Sequence, residues 1–329
     1  MSSIGIIGSG TWGTAIANML ANHEHNVALY SPFESEINNL KKTLEHPNLK
    51  GCKLSDKITF TNDLIVATKG KEIIVIAVPS PYVRNTTKQL KSLLSKEQIM
   101  VTVAKGIEEH TNLTMSEIIN SELGNGFKVV ALSGPTHAEE VSIGQPTLIV
   151  SACEDEEVAK IVQKVFYNEV LRVYTNTDIK GVELCGALKN IIALAAGMSD
   201  GLGYGDNAKA AIVTRGLNEM VTLGTAMGCN LKTFYGLAGI GDIVVTATST
   251  HSRNHNCGYL IGKGKTLEEA KKEVGMVVEG IYALQAAKEL EKKYDVELPI
   301  VDVVYDILMN GKPVQSALDS LFSRSKKSE

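Results

Sequence analysis

Lys189 is the residue in this sequence best suited to moving a proton. Between Leu184 and Met198, it and Asn190 are the strongly polar side chains in a run otherwise made of Leu, Ile, Ala, Gly, Cys and Met. A helix apolar nearly all round is buried, and lysine is rarely buried unless paired. Desolvation lowers a lysine pKa, so such a group can pass a proton near neutral pH. A stem on the core with its ammonium in water fits the same residues. Arg253 is the second candidate. Flanked by Ser252 and Asn254, it combines a guanidinium fork with neutral hydrogen-bonding groups, a set that suits a phosphate; the triplet also reads as a surface turn. Upstream lies GLAGIGD, 236–242, read as a close-packing loop that ends on Asp242. The third candidate is Lys105, in AKGIE just after an apolar strand-like run, followed further on by SGPTHAEE at 133–140. In open α/β sheets ligands bind beyond the carboxyl ends of the strands. Gly134 makes a turn with Pro135, and Thr136 is placed to cap the helix that follows.

A glycine loop stands at the other end of the chain. GSGTWG, 8–13, matches G-x-G-x-x-G directly after a strand-like run and before a helical one. Gly8 permits the tight turn, Gly10 admits a pyrophosphate, and Gly13 lets helix and strand pack closely. The helix N-terminus offers free N–H groups to phosphates. An acid at the end of the second strand would hold the ribose hydroxyls of NAD. Glu34 is the candidate, although a first-turn acid also suits the helix dipole. No Arg or Lys stands here to meet the 2′-phosphate of NADP, so NAD is favoured slightly.

These residues need a scaffold, and the hydropathy pattern supplies one. Short Val- and Ile-rich runs at 3–7, 26–30, 57–61, 72–78, 99–104, 128–132 and 147–152 read as strands. Several are apolar at successive positions, as in a parallel sheet covered on both faces. Helical spacing fills the gaps at 12–22, 34–44, 82–94, 114–121 and 155–167. After about residue 178 helical stretches take over, at 179–198, 207–224, 266–273, 278–293 and 301–309. The expected fold class is α/β: an N-terminal doubly wound, Rossmann-type, mainly parallel sheet over 1–178, then a mainly α-helical domain over 179–329. The polar tail 323–329 is expected to be solvated.

Composition narrows the function. Of 329 residues, 44% are hydrophobic and 21% charged, which excludes intrinsic disorder. With 33 basic against 37 acidic side chains the net charge is −4, so no overall electrostatic case for nucleic acid exists. The five cysteines form no CxxC pair and number oddly for a disulfide framework, which suggests a reducing, cytoplasmic setting. No basic-then-apolar leader opens the chain, and no run of about 18 or more apolar residues implies a membrane span. Among the seven histidines only His23/His25 and His251/His255 pair closely, without Cys or clustered acids, so no metal site is expected. The second pair flanks Ser-Arg-Asn, read as loop-like.

Taken in order, GSGTWGTA (8–15), AKGIE (104–108), LSGPTHAEE (132–140), GALKN (186–190), GLAGIGD (236–242), SRN (252–254) and VVEG (277–280) resemble the NAD(P)-dependent glycerol-3-phosphate dehydrogenases. The resemblance implies reversible reduction of dihydroxyacetone phosphate to sn-glycerol 3-phosphate for phospholipid synthesis. It implies Lys189 as the proton-transferring, catalytic residue. It implies Lys105, Gly134, Thr136, Asp242, Ser252, Arg253 and Asn254 around the substrate. By the same likeness Gly8, Gly10, Thr11, Trp12, Gly13, Lys105, Ala138, Arg253, Val277 and Glu279 meet the cofactor, NAD or NADP. Bacterial members often carry Arg or His after the second strand, where this chain has Ser31-Pro32-Phe33. Thr11 stands where Ser is common. A homodimer is compatible with the family. Two other readings remain: a different β-hydroxyacid dehydrogenase with a carboxylate site, and a non-catalytic dinucleotide sensor.

Overall fold

The computed structural model describes residues 1–323. Part of the tail reading at 323–329 therefore lies outside the described residues. The chain forms two compact units. The first joins Met1–Lys105 with Leu113–Glu183; the second joins Gly106–Asn112 with the chain from Leu184 onward.

The first unit is built on an eight-stranded sheet. Its strands are β1 Ser3–Ile7, β2 Asn26–Tyr30, β3 Thr59–Thr61, β4 Ile73–Ile76, β5 Ile99–Thr102, β6 Lys128–Ser133, β7 Thr147–Ala152 and β8 Leu171–Asn176. They lie in the order β3-β2-β1-β4-β5-β6-β7-β8. Pairing is parallel except between β6 and β7, with Ile7 opposite Tyr30 where β1 meets β2. The apolar residues of the central strands alternate between two cores. Ile73, Val75 and Val101 enter one, with Ile16 and Leu20 of α1 (Thr11–Asn22), Ile37 and Leu40 of α2 (Glu34–Thr43) and Phe166 of α7 (Glu156–Phe166). Ile74, Ile76 and Met100 enter the other, with Ala67 of α3 (Leu64–Thr68), Val83 and Leu90 of α4 (Val83–Leu90) and Ile118 of α5 (Met115–Leu123). Burial on both faces is why these strands read as unbroken Val/Ile runs. A short helix, α6 (Ala138–Ser142), follows β6.

β8 is an addition to the expected strands. Its sequence LRVYTN buries Leu171 and Val173 and exposes Arg172 and Tyr174. At the sheet edge only one face is covered, so the apolar signal is diluted.

The second unit is helical in all its described elements from Leu184 onward, and it also includes the non-helical segment Gly106–Asn112. It takes most of α8 (Ile179–Gly201), then α9 (Asp206–Ala226), α10 (Leu231–Phe234), α11 (Asp242–Thr248), α12 (Arg253–Gly262), α13 (Leu267–Val274), α14 (Glu279–Tyr294), α15 (Pro299–Asn310) and α16 (Val314–Phe322). Its core gathers Leu188, Ile191 and Leu194 of α8 with Phe234, Ile243, Cys257, Leu284 and Val304. By length and composition α8 could cross a membrane, contrary to the expectation from sequence. Its most apolar stretch is wholly buried within the protein, where Lys189 and Asn190 are also enclosed.

Two segments read as loops are helical. Residues 236–242 pass through a wide π-helical turn, Leu237–Gly241, directly into α11. Three glycines in seven residues suggest a loop, yet here they allow close packing: a Cβ on Gly239 would stand 2.0 Å from the Phe234 carbonyl oxygen. Arg253 opens α12 and is no surface turn, because the Ser252 hydroxyl caps the helix by accepting from the His255 N–H at 3.2 Å.

Candidate active site

In the first unit the glycine loop joins β1 to α1. Gly8 has φ +118°, a left-handed conformation that disfavours any side chain, and its N–H donates to the Tyr30 carbonyl at 3.0 Å. A Cβ on Gly13 would stand 2.1 Å from the Gly8 carbonyl oxygen, so helix and loop touch there. A Cβ on Gly10 would meet nothing within 4 Å. The loop is therefore bare where a pyrophosphate would approach, and the first N–H groups of α1 lie behind it. The residues fit a dinucleotide. Thr11 and Trp12 begin α1, and the Asn48 amide donates to the Thr11 hydroxyl at 3.2 Å. Glu34 is exposed on the first turn of α2 and lies away from this loop's hydrogen bonds. Glu36 is the acid that touches the loop: its carboxylate accepts from the Ser9 hydroxyl at 2.8 Å and from the Ser31 hydroxyl.

Lys105 follows β5. Its ammonium donates to the Gly134 carbonyl at 2.9 Å and lies 3.5 Å from the Thr136 hydroxyl. The Thr136 hydroxyl donates to the same carbonyl at 3.1 Å. Thr136 is thus no cap; the residue before α6 is His137, without a capping side chain, and Ala138 is the first helical residue. Gly134, at φ +144°, turns its carbonyl toward the lysine.

In the second unit Lys189 is 6% exposed. Its Nζ donates to Asp242 Oδ1 at 2.5 Å and to the Thr246 hydroxyl at 2.8 Å. Asp242 is fully buried, and the Thr246 hydroxyl donates to its main-chain carbonyl at 2.6 Å. A buried ammonium needs a counter-ion and hydrogen-bond partners, and Asp242 and Thr246 supply them. The stem-on-core reading with the ammonium in water does not hold. Thr246 was not singled out from sequence. Its signal is the i+4 spacing from Asp242, visible only once 242 opens a helix.

Helix α12 carries the next group. Arg253 is exposed and donates from Nη1 to the Val277 carbonyl at 3.2 Å, just before α14 and Glu279. Asn254 is buried and braces the surroundings: Nδ2 donates to Asn190 Oδ1 at 2.9 Å, while Oδ1 accepts the Gly280 N–H at 2.9 Å. Its side chain is largely spent on protein, and among the first-turn N–H groups of α12 that of His255 is already taken by the Ser252 hydroxyl. α12 lies almost backbone to backbone on α8. A Cβ on Gly258 would stand 2.1 Å from the Leu194 carbonyl oxygen, and one on Gly197 2.0 Å from that of His255. His255 Nε2 lies 2.8 Å from Asp200 Oδ2, so a side-chain bond reinforces the contact.

At the start of α8, the buried Glu183 carboxylate accepts from Ser116, at 2.8 Å from its N–H and 2.5 Å from its hydroxyl. Burial pushes Glu183 up to about 7. Among the described residues no group of three or more His, Cys, Asp or Glu side chains could hold a metal.

Residues 3–159 match the family described as NAD-dependent glycerol-3-phosphate dehydrogenase N-terminus, and 178–319 match its C-terminus. A protein of Lactobacillus delbrueckii subsp. bulgaricus named glycerol-3-phosphate dehydrogenase (NAD(P)+) 2 is 54% identical, over 100% of this chain and 99% of that one. One from Agathobacter rectalis named glycerol-3-phosphate dehydrogenase (NAD(P)+) is 50% identical, over 100% and 98%. The crystal structure of glycerol-3-phosphate dehydrogenase from Coxiella burnetii superposes with a TM-score of 0.94 at 34% identity, covering 98% of this chain and 99% of that one. On both matched halves and on these full-length relatives, the chain belongs to the NAD-dependent glycerol-3-phosphate dehydrogenase family.

Proposed function

We propose that this chain catalyses the reversible transfer of a hydride between NAD(P)H and dihydroxyacetone phosphate, giving sn-glycerol 3-phosphate for glycerophospholipid synthesis. The observation that carries this reading is the buried Lys189 ammonium held by Asp242 and Thr246, in a chain whose whole length matches that family. The nicotinamide cofactor supplies the hydride. Gly8, Gly10, Gly13, Thr11 and Trp12 cradle it, with Ala138, Val277 and Glu279 as further contacts. Lys105 serves cofactor and substrate, and Gly134 and Thr136 orient its ammonium. As hydride reaches the ketone carbon, charge gathers on the carbonyl oxygen; Lys189 stabilises that charge and donates the proton. Asp242 holds Lys189 in place, and Thr246 fixes one of its three N–H directions. Arg253 keeps one N–H on Val277 and offers the rest of its fork to the substrate phosphate, with Ser252 and Asn254 shaping the helix start around it. Anchoring the phosphate lets binding energy from a non-reacting group orient the ketone. The five buried free thiols support a reducing, cytoplasmic setting.

The test is Lys189→Ala. The variant is expected to bind cofactor as the wild type does, read from fluorescence of Trp12, the sole tryptophan. Its kcat is expected to fall by about 10³-fold or more, the combined scale of a lost proton donor and a lost oxyanion partner. Wild-type turnover in that variant removes Lys189 from the mechanism.

A further inference from the structure

The region between the glycine loop and the end of β2 holds a carboxylate whose chemistry the reaction itself does not use. Glu36 sits in the first turn of α2. Its Oε2 accepts from two hydroxyls, Ser9 and Ser31, and both serines are buried, at 3% and 1% exposure. Ser9 belongs to the glycine loop and Ser31 directly follows β2. The carboxylate therefore spans the carboxyl ends of two adjacent strands, β1 and β2, which are also joined there by the Gly8 N–H to the Tyr30 carbonyl. Among the described residues its hydrogen bonds are on Oε2, which leaves Oε1 to accept from a ligand. In a doubly wound sheet this is where the adenosine ribose of a dinucleotide lies. An acceptor here suits a free 2′-hydroxyl and opposes a 2′-phosphate, which brings a charge of about −1.5 to −2.

The segment that carries Glu36 does not itself offset that repulsion. The segment 31–36, SPFESE, holds no cation and adds a second carboxylate, Glu34. Lys41 and Lys42 belong to the last turn of α2, at its far end. His46 lies within electrostatic reach of Glu36, but burial lowers its imidazole below the ordinary histidine range, which disfavours its charged form.

We propose that Glu36, fixed by Ser9 and Ser31, is the specificity-determining residue that makes this chain take the unphosphorylated ribose of NAD(H) in preference to the 2′-phosphorylated ribose of NADP(H). The proposal rests on the dinucleotide reading given above and adds a choice the family relationship leaves open. Geometry distinguishes Glu36 from Glu34, whose side chain is exposed two residues earlier.

The experiment is a titration of the purified protein with NAD+ and, separately, NADP+, following Trp12 fluorescence. Wild type is expected to bind NAD+ about tenfold or more tighter than NADP+, the scale of one close like-charge contact near a protein surface. Glu36→Gln is expected to keep the fold, checked by thermal melting, and to bring the two affinities within about threefold of each other. Ser31→Ala retains the carboxylate but removes one tether, and is expected to narrow the preference partly. Should Glu36→Gln melt out, Ser31→Ala carries the comparison. Equal wild-type affinities overturn the proposal, as does a preference that survives in the folded Glu36 variant, or in Ser31→Ala when that variant carries the comparison. Absence of any Trp12 response, together with no binding by calorimetry for either nucleotide, overturns the dinucleotide reading itself.

Discussion

At the scale of single residues, the proposed chemistry depends on how a charged amine is kept inside a helical core. Lys189 tolerates burial because Asp242 and Thr246 meet it at 2.5 and 2.8 Å. Removing one partner of such a pair leaves the other charge buried and alone. Asp242→Asn is therefore expected to lose about 3–5 kcal/mol of stability along with activity, read by denaturant unfolding; an unchanged midpoint would show that the pair contributes no net stability. Arg253 should behave differently, since it is exposed and makes a single bond to Val277. Arg253→Ala is expected to leave stability nearly intact and to raise the KM for dihydroxyacetone phosphate about 10- to 100-fold, the scale of hydrogen bonds to a charged group. An unchanged KM places the phosphate elsewhere. Lys189 and Arg253 stood out in the sequence because their neighbours are unlike them. Thr246 and Glu36 did not, because each matters through partners that are distant in sequence or depend on a helix start.

At the scale of elements, α8, which carries Lys189, and α12, which opens on Arg253, approach each other closely. Gly197, Gly201, Gly258 and Gly262 each face backbone of the other helix; Cβ atoms there would come within 2.0–2.4 Å of a carbonyl oxygen. Gly258→Ala is expected to cost about 1–3 kcal/mol by overpacking, measurable as a drop in Tm of several degrees. A neutral result would mean that the helices can separate cheaply. The cap on α15 gives a pH prediction. Glu219 of α9 accepts the N–H groups of Ile300 and Val301 at 2.7 and 3.3 Å, and burial pushes it up to about 8. The folded chain then binds a proton that the unfolded chain, near its ordinary value, releases. The contribution of this group to stability falls as pH rises from about 4.5 toward 8. Glu219→Gln is expected to flatten that decline in Tm, and an identical profile would remove Glu219 from it. The strands were legible because burial on both faces makes unbroken Val/Ile runs. The edge strand β8 and the helices at 242–248 and 253–262 were not, since one alternates with polar residues and the others begin in glycine- or serine-rich turns.

At the scale of the whole molecule, each unit carries its own part of the proposed chemistry. The sheet unit holds the glycine loop, Glu36 and Lys105, all beyond the carboxyl ends of strands, as such sheets require. The helical unit holds Lys189, Asp242, Thr246 and Arg253. Unit boundaries follow packing more closely than element boundaries: the division falls inside α8, between Glu183 and Leu184, and Gly106–Asn112 joins the helical unit through Ile107. Neither feature is visible in residue types, because a continuous helix gives no signal where its neighbours change. The central claim is hydride transfer to a phosphorylated ketone, and one measurement addresses it directly. Purified protein is mixed with NADH and either dihydroxyacetone phosphate or unphosphorylated dihydroxyacetone, and loss of absorbance at the NADH band is followed. The account predicts rapid oxidation with the phosphorylated ketone and little or none without the phosphate. No oxidation of NADH or NADPH with dihydroxyacetone phosphate, by protein that binds the cofactor, would contradict it.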